Sequence, residues 1–173
     1  VHIPWCERKC PYCDFNSHEN FDPSLENSYV DALLNDLDQQ LGWAEDRELV
    51  SIFFGGGTPS LLSGDAIQRI LEGIQQRLRL AEHCEITLES NPGSAEALKY
   101  DAYRRAGVNR LSIGVQSFNE RHLSRLERIH SGDEAIKAIA LARSAGFDRL
   151  NMDLMYGLAD QTIEDGLKDI STG

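Results

Sequence analysis

Short apolar runs typical of β-strands alternate with longer stretches of helical hydrophobic spacing along the 173-residue chain. The runs are rich in Val, Ile, Leu and Phe, and each of them ends in glycine or polar residues. Between them, apolar residues recur three or four positions apart, as on one face of a helix. The five predicted strands cover residues 1–4, 50–54, 85–88, 111–115 and 150–155.

Capping residues predict where several helices begin and end. Asp22 followed by Pro23 is typical of a helix N-terminus, and Ser131 with Glu134 forms a capping box. Gly107 is expected to end the helix that starts near residue 94, in the left-handed conformation that glycine adopts readily. The apolar stripes of the first two helices contain Val30, Leu33, Leu34, Leu37 and Leu41, and Ile67, Ile70, Leu71, Ile74 and Leu78.

Strict alternation of strand and helix predicts an α/β fold with a parallel sheet. An open doubly wound sheet gathers its ligand residues at one switch point, whereas a barrel places them at the end of every strand. Polar or glycine-rich residues follow each predicted strand here, which favours a partial (β/α)6 barrel with five βα units. We expect residues 1–173 to be one domain of a longer protein, with a sixth strand and a C-terminal domain beyond it.

Composition narrows the class of protein. A chain with 41% hydrophobic and 26% charged residues is able to bury a core, and its net charge of −11 argues against general nucleic-acid binding. No apolar run has the length of a transmembrane segment. The four cysteines, three of them closely spaced, are typical of a reducing compartment, so a cytoplasmic location is expected.

Three of these cysteines, Cys6, Cys10 and Cys13, form a C-x-x-x-C-x-x-C loop after the first predicted strand. Structural zinc sites and electron-transfer iron–sulfur clusters both use four ligands. Three thiolates on one loop therefore favour a cubane cluster with one open iron, and a partial zinc site or free thiols remain the alternative. Cys84 is expected at the other end of the barrel as a structural residue.

Polar residues at the strand ends are the other candidates for a site. Gln116 and Asp153 lie where strands disfavour their residue types, so a polar cavity is expected there. Glu89 and the glycines before Thr58 are weaker candidates taken alone. We assign no metal to the histidines and expect three of them at the surface or at helix ends. Those three histidines are His83, His122 and His130.

The cysteine loop after the first strand of a β/α barrel resembles the radical S-adenosylmethionine (radical SAM) superfamily. Seven segments spread along essentially the whole chain narrow this resemblance to the oxygen-independent coproporphyrinogen III oxidase family: HIPWC, PYCDFNSH, FFGGGTPS, ESNPGS, GVQSFN, RIHSG and NMDLMYGL. The resemblance implies a [4Fe–4S] cluster whose open iron is chelated by the amino and carboxylate groups of S-adenosylmethionine.

The resemblance also implies roles for individual residues. Cys6, Cys10 and Cys13 would hold the cluster. Arg128, which on its own reads as a solvated charge, would join the residues around S-adenosylmethionine. The full cofactor-binding set implied is Gly56, Gly57, Thr58, Glu89, Gln116, Arg128 and Asp153.

Phe15 departs from the decarboxylating oxidases, which have a further cysteine two residues after the third. Phenylalanine there is similar to the sister branch, the HemW-type heme chaperones. That branch implies heme as cargo, together with an electron donor protein and a heme-acceptor protein. The alternative is an oxidase that decarboxylates coproporphyrinogen III.

Overall fold

The computed structural model describes residues 1–173, including every side chain except those of residues 94 and 95. Its five strands fall where the sequence predicts them, and most are longer by one to several residues. All neighbouring pairs are parallel. The strands are β1 (His2–Ile3), β2 (Leu49–Gly56), β3 (Leu80–Ser90), β4 (Arg110–Gln116) and β5 (Arg149–Leu154).

The strands lie side by side in chain order, β1-β2-β3-β4-β5, in one sheet. A doubly wound sheet reverses direction at a switch point, and this one does not. Sequential parallel strands, each crossing over through helical segments, are the arrangement of a barrel wall. The prediction of a partial α/β barrel is therefore confirmed, and the carboxyl ends of all five strands meet at one end of it.

Helical segments connect the strands and cover the outer face of the sheet. The capping box at Ser131 and Glu134 is present, and Gly107 ends its helix with φ of 113°. The single helix expected between residues 94 and 107 is instead two helices. The helices are α1 (Glu26–Gln40), α2 (Gly64–Gln75), α3 (Ser94–Ala97), α4 (Tyr100–Ala106), α5 (Glu120–Arg125), α6 (Gly132–Ser144) and α7 (Ile163–Thr172).

The two faces of the sheet differ in polarity. Phe54, Leu88 and Leu111 are neighbours in register across β2, β3 and β4, and all three are fully buried on the helix-covered side. Burial of each such side chain contributes about 1.5–3 kcal/mol. One residue further along, Glu89, Ser112 and Asn151 are in register on the opposite face. That inner face is polar.

Side chains of the helix layer hold the turn that follows β2 by hydrogen bonds. The buried hydroxyl of Tyr103 donates hydrogen bonds to the carbonyl oxygens of Ser60 and Leu62, at 2.8 and 2.7 Å. Lys99 Nζ donates to the carbonyl oxygens of Ser60 and Leu61, at 3.0 and 2.8 Å. These bonds fix the segment just after the glycine run.

Among the residues described, no helix is both long and apolar enough to cross a membrane.

Candidate functional site

A cavity of about 180 Å³ lies at the carboxyl ends of the strands, between the cysteine loop and the polar face of the sheet. Nine of the ten residues that the sequence implicates line it, and Gly56 is the exception. Residues far apart in the chain therefore meet in one place. The nine are Cys6, Cys10, Cys13, Gly57, Thr58, Glu89, Gln116, Arg128 and Asp153.

Backbone hydrogen bonds position the cysteine loop over this cavity. The amide of Gly57 donates to the carbonyl oxygen of Ile3 at 2.6 Å, and the amide of Thr58 donates to that of Trp5 at 2.7 Å. On the other side, the Cys6 amide donates to the carbonyl oxygen of His18 at 2.9 Å. The segment that carries the first cysteine is thus held between the end of β2 and the chain that returns after the third cysteine.

Close packing against the segment before Cys6 explains why residues 56 and 57 are glycine. A Cβ atom on Gly57 would lie 2.5 Å from the carbonyl oxygen of Trp5. Gly56 has φ of 113°, and a Cβ there would lie 2.5 Å from His2 Nδ1. The sequence predicts that these glycines let a ligand approach the backbone closely. In the structure they let the segment that leads to the cysteines approach it closely. Gly56 borders a neighbouring pocket, with His2 and Phe15.

The three cysteines fit the cluster that the sequence predicts. None of them is in a disulfide, and all three line the cavity. Within the described part of the chain, no three His, Cys, Asp or Glu side chains converge as one metal ion requires. A cubane presents a separate iron to each cysteine, so its ligands need only surround a common space. Cys84 lies outside the cavity, buried in the core.

Arg128 connects the cysteine loop to two strand ends. Its Nη1 donates to the Cys10 sulfur at 3.5 Å, and its Nη2 donates to Asn91 Oδ1 at 2.6 Å and to the Gly114 carbonyl oxygen at 2.8 Å. Residue type and spacing alone indicate a solvated charge, and that interpretation is wrong. Only the resemblance identified this arginine, because it follows α5 rather than a strand.

Two residues of the cavity wall, Asn91 and Tyr12, were not selected from the sequence. Asn91 accepts from Arg128, and its Nδ2 donates to the Thr58 hydroxyl at 3.4 Å. Burial raises the pKa of Tyr12 to about 12, with Cys10 and Arg128 beside its hydroxyl. Asn91 follows a strand directly, which was its available signal. Tyr12 has none beyond its place between two cysteines.

Gln116 has a strained backbone at the end of β4. Its φ of 67° lies in the left-handed region, which costs a non-glycine residue free energy and is frequent at functional sites. The Gln116 carbonyl oxygen accepts from the amide of Met155 at 2.8 Å, which holds this conformation. The side-chain amide nitrogen lies above Gly114, beside Arg128. Gln116 thus lines the cavity from a strained backbone position.

Glu89 and Asp153 supply two carboxylates to the cavity. Asp153 accepts from the Ser112 hydroxyl at 3.3 Å and from Asn151 Nδ2 at 2.9 Å. Burial raises the pKa of Glu89, and the neighbouring Asp153 raises it further, while the amide of Gly56 opposes the shift by donating to the carboxylate. Two neighbouring carboxylates suit a positively charged ligand, since a cation stabilises the ionised form of both.

This raised pKa makes a prediction for Glu89→Gln. The folded state holds the proton of Glu89 more tightly than the unfolded state, so stability falls as pH rises from about 4 through the folded pKa. The variant removes this loss. We expect it to be more stable than the wild type at neutral pH and to show a flatter dependence of the unfolding free energy between about pH 4 and 7.

Urea unfolding of the ligand-free protein at several pH values measures this effect. Glu82→Gln, at an exposed position of the same strand, is the matched control and should keep the wild-type pH dependence. Lower stability of Glu89→Gln at neutral pH would show that ionised Glu89 stabilises the fold, contrary to the prediction.

Two of the histidines expected at the surface or at helix ends, His122 and His130, lie at helix ends but are buried. His122 is 1% exposed and His130 is 4% exposed. His130 Nε2 donates to the Val115 carbonyl oxygen at 3.0 Å, and burial lowers the pKa of the ring to about 4. It is therefore neutral at physiological pH and fixes the segment after Arg128 against β4. Residue type alone does not distinguish a buried histidine at a helix end from an exposed one.

Comparison with known proteins agrees with the fold and with the cysteine motif. The family model of the radical SAM superfamily matches residues 1–170. The chain is 55% identical to the heme chaperone HemW of Escherichia coli and 47% identical to that of Haemophilus influenzae, in each case over 98% of this chain. It spans 45% of the length of each of these two relatives.

A solved structure also resembles the chain along nearly its whole length. Coproporphyrinogen III oxidase (HemN) from Escherichia coli, described as a radical SAM enzyme, superposes with a TM-score of 0.87 at 30% identity. The match covers 99% of this chain and 39% of that one. With the family model matching almost every residue, the chain belongs to the radical SAM superfamily.

Proposed function

We propose that this chain is the radical SAM domain of a heme chaperone, a protein that binds heme and delivers it to acceptor proteins. Cys6, Cys10 and Cys13 hold a [4Fe–4S] cluster, and S-adenosylmethionine occupies the cavity beside it. The observation that carries this proposal is the convergence of three free thiols and the polar strand ends on one cavity. The names of the curated relatives support heme as the cargo.

The chemistry of the cavity wall supports S-adenosylmethionine as the occupant. Arg128 offers a guanidinium to the carboxylate of the methionine moiety, and Gly57 and Thr58 border the same end. Glu89 and Asp153 offer negative charge to a ligand that carries a sulfonium. When bound and reduced, a [4Fe–4S] cluster held by the three cysteines would supply the single electron needed to cleave a carbon–sulfur bond of this sulfonium. The residues of the chain bind and orient the ligand.

Phe15 favours the chaperone over the oxidase. Its side chain is 58% exposed and borders both the cavity and the pocket that contains Phe53. The decarboxylating oxidases that the sequence resembles have a thiol at this position, and phenylalanine is unable to replace its chemistry. The oxidase nevertheless remains the second candidate, because the solved structure that matches nearly the whole chain is a coproporphyrinogen III oxidase.

The remaining parts of the proposal concern the whole protein. We place residues 1–173 within a radical SAM core that a sixth strand completes, followed by a C-terminal domain; the relatives are more than twice as long. Reduction of such a cluster would require an electron donor protein. Three closely spaced cysteines that serve as cluster ligands fit a reducing compartment, and we propose the cytoplasm.

Anaerobic assays on the full-length, cluster-loaded protein separate the two functions. We expect it to bind heme tightly and to leave coproporphyrinogen III unchanged in the presence of S-adenosylmethionine and a reductant. Formation of protoporphyrinogen would overturn the chaperone proposal. The Cys10→Ala variant is the control for turnover, because any product that depends on the cluster should disappear with it.

A further inference from the structure

Ser17 is a buried serine whose hydroxyl group has no hydrogen-bond partner. The residue is 4% exposed, and its Oγ is out of contact with solvent. Leaving a buried hydroxyl unpaired is unfavourable, so such a group usually indicates an acceptor that the protein chain itself does not supply. The roles proposed above do not use this residue.

The surroundings of Ser17 indicate what the acceptor is. Ser17, Cys10 and Cys13 line one pocket, and the same two cysteines also line the cavity described above. A thiol sulfur is a weak acceptor, whereas a thiolate bound to iron is negatively charged and accepts well. In the ligand-free protein the hydroxyl makes no hydrogen bond to a cysteine sulfur, and a cluster held by Cys10 and Cys13 would bring negatively charged sulfur atoms to this shared pocket.

The backbone keeps Ser17 in this position. Its amide donates to the Phe15 carbonyl oxygen at 2.8 Å, and its carbonyl oxygen accepts from Lys9 Nζ at 3.4 Å. The next residue, His18, donates its amide to Pro4 at 2.7 Å. Lys9 has only donors, so it does not satisfy the proton of the serine hydroxyl.

We propose that the Ser17 hydroxyl donates a hydrogen bond to a sulfur atom of the cluster, either a coordinating thiolate or a bridging sulfide. Ser17 is thus a positioning residue that acts through the cluster. Such a bond stabilises the more negative, reduced state, and hydrogen bonds to sulfur are among the factors that set cluster potentials. This inference rests on the proposed cluster.

The test compares Ser17→Ala with the wild type in the full-length protein, reconstituted with iron and sulfide. We expect the variant to bind the cluster with a lower midpoint potential. The equilibrium should shift against reduction by up to about tenfold, which is 59 mV for one electron. Ser144→Ala, which removes a hydroxyl bonded to Ala140 on α6, is the control and should leave the potential unchanged.

A second measurement identifies the hydrogen bond itself. Exchange into deuterated water should shift the iron–sulfur stretching bands in resonance Raman spectra, and Ser17→Ala should lose part of that shift. If Ser17→Ala kept both the wild-type potential and the wild-type deuterium shift, the role of Ser17 would be overturned. That result is expected if the hydroxyl donates to a water molecule and not to the cluster.

The other outcomes are also decisive. If Ser17→Ala binds no iron, Ser17→Thr, which keeps the hydroxyl, is expected to bind it at a potential near that of the wild type; loss of iron in both would overturn the inference. If the wild type binds no iron, the cluster proposal fails first, and the role of Ser17 fails with it.

Discussion

Replacing Cys10 with alanine is expected to abolish assembly of the iron–sulfur cluster. Cys10 lines the cavity with Cys6 and Cys13, and its sulfur is the one that accepts from Arg128. A cluster held by three thiolates loses one of its three protein ligands in this variant. Iron and acid-labile sulfide per chain, together with visible absorption, should fall from about four atoms of each in the wild type to near zero.

Cys84→Ala is the matched control for this variant. Cys84 is a free cysteine of the same chain, it is buried in the core, and burial raises the pKa of its thiol. We expect the control to bind the cluster at the wild-type level, with a small loss of stability. A chromophore that survives in Cys10→Ala and disappears in Cys84→Ala would contradict the assignment of ligands.

Gly57→Ala has the second largest expected effect. The added Cβ would lie 2.5 Å from the Trp5 carbonyl oxygen and 3.0 Å from that of Ile3. Both atoms belong to the backbone, so rotation of a side chain does not relieve the clash. We expect a loss of about 2–4 kcal/mol in unfolding free energy, from overpacking and from weakening of the hydrogen bonds between β2 and the cysteine segment.

Because Gly57 holds the segment that carries Cys6, this variant should also bind less iron. Gly42→Ala is the control, since a Cβ there meets no atom within 4 Å; its unfolding free energy should change by less than about 0.5 kcal/mol. Urea unfolding and iron analysis of both variants measure the difference. Equal stability of the two would show that the chain near Trp5 adapts and that the glycine is not required for packing.

Much of the fold followed from local signals in the sequence. Alternating strands and helices predicted the parallel sheet, and the polar ends of the strands distinguished a barrel wall from an open sheet. The capping box at Ser131 and the glycine at position 107 are where local chemistry predicts them. The break between α3 and α4 was not predicted, because the residues across it continue a helical pattern and tertiary packing decides the outcome.

The site was predictable where strand ends reveal it. Gln116 and Asp153 stood out as polar residues in strands, and both line the cavity. Arg128 required the resemblance, because the loop after α5 brings it over the cysteines. The packing that requires glycine at position 57 could not be predicted from the sequence, because it depends on the distance between β2 and the segment before Cys6.

Mössbauer spectroscopy of the wild-type protein loaded with 57Fe tests the central claim most directly, namely that three cysteines leave one iron open to S-adenosylmethionine. In the proposed cluster, three irons would have cysteine ligands and one would not. We predict that adding S-adenosylmethionine changes the signal of one iron in four and leaves the other three unchanged. A spectrum that is identical with and without S-adenosylmethionine, or one that changes for all four irons equally, would contradict the account.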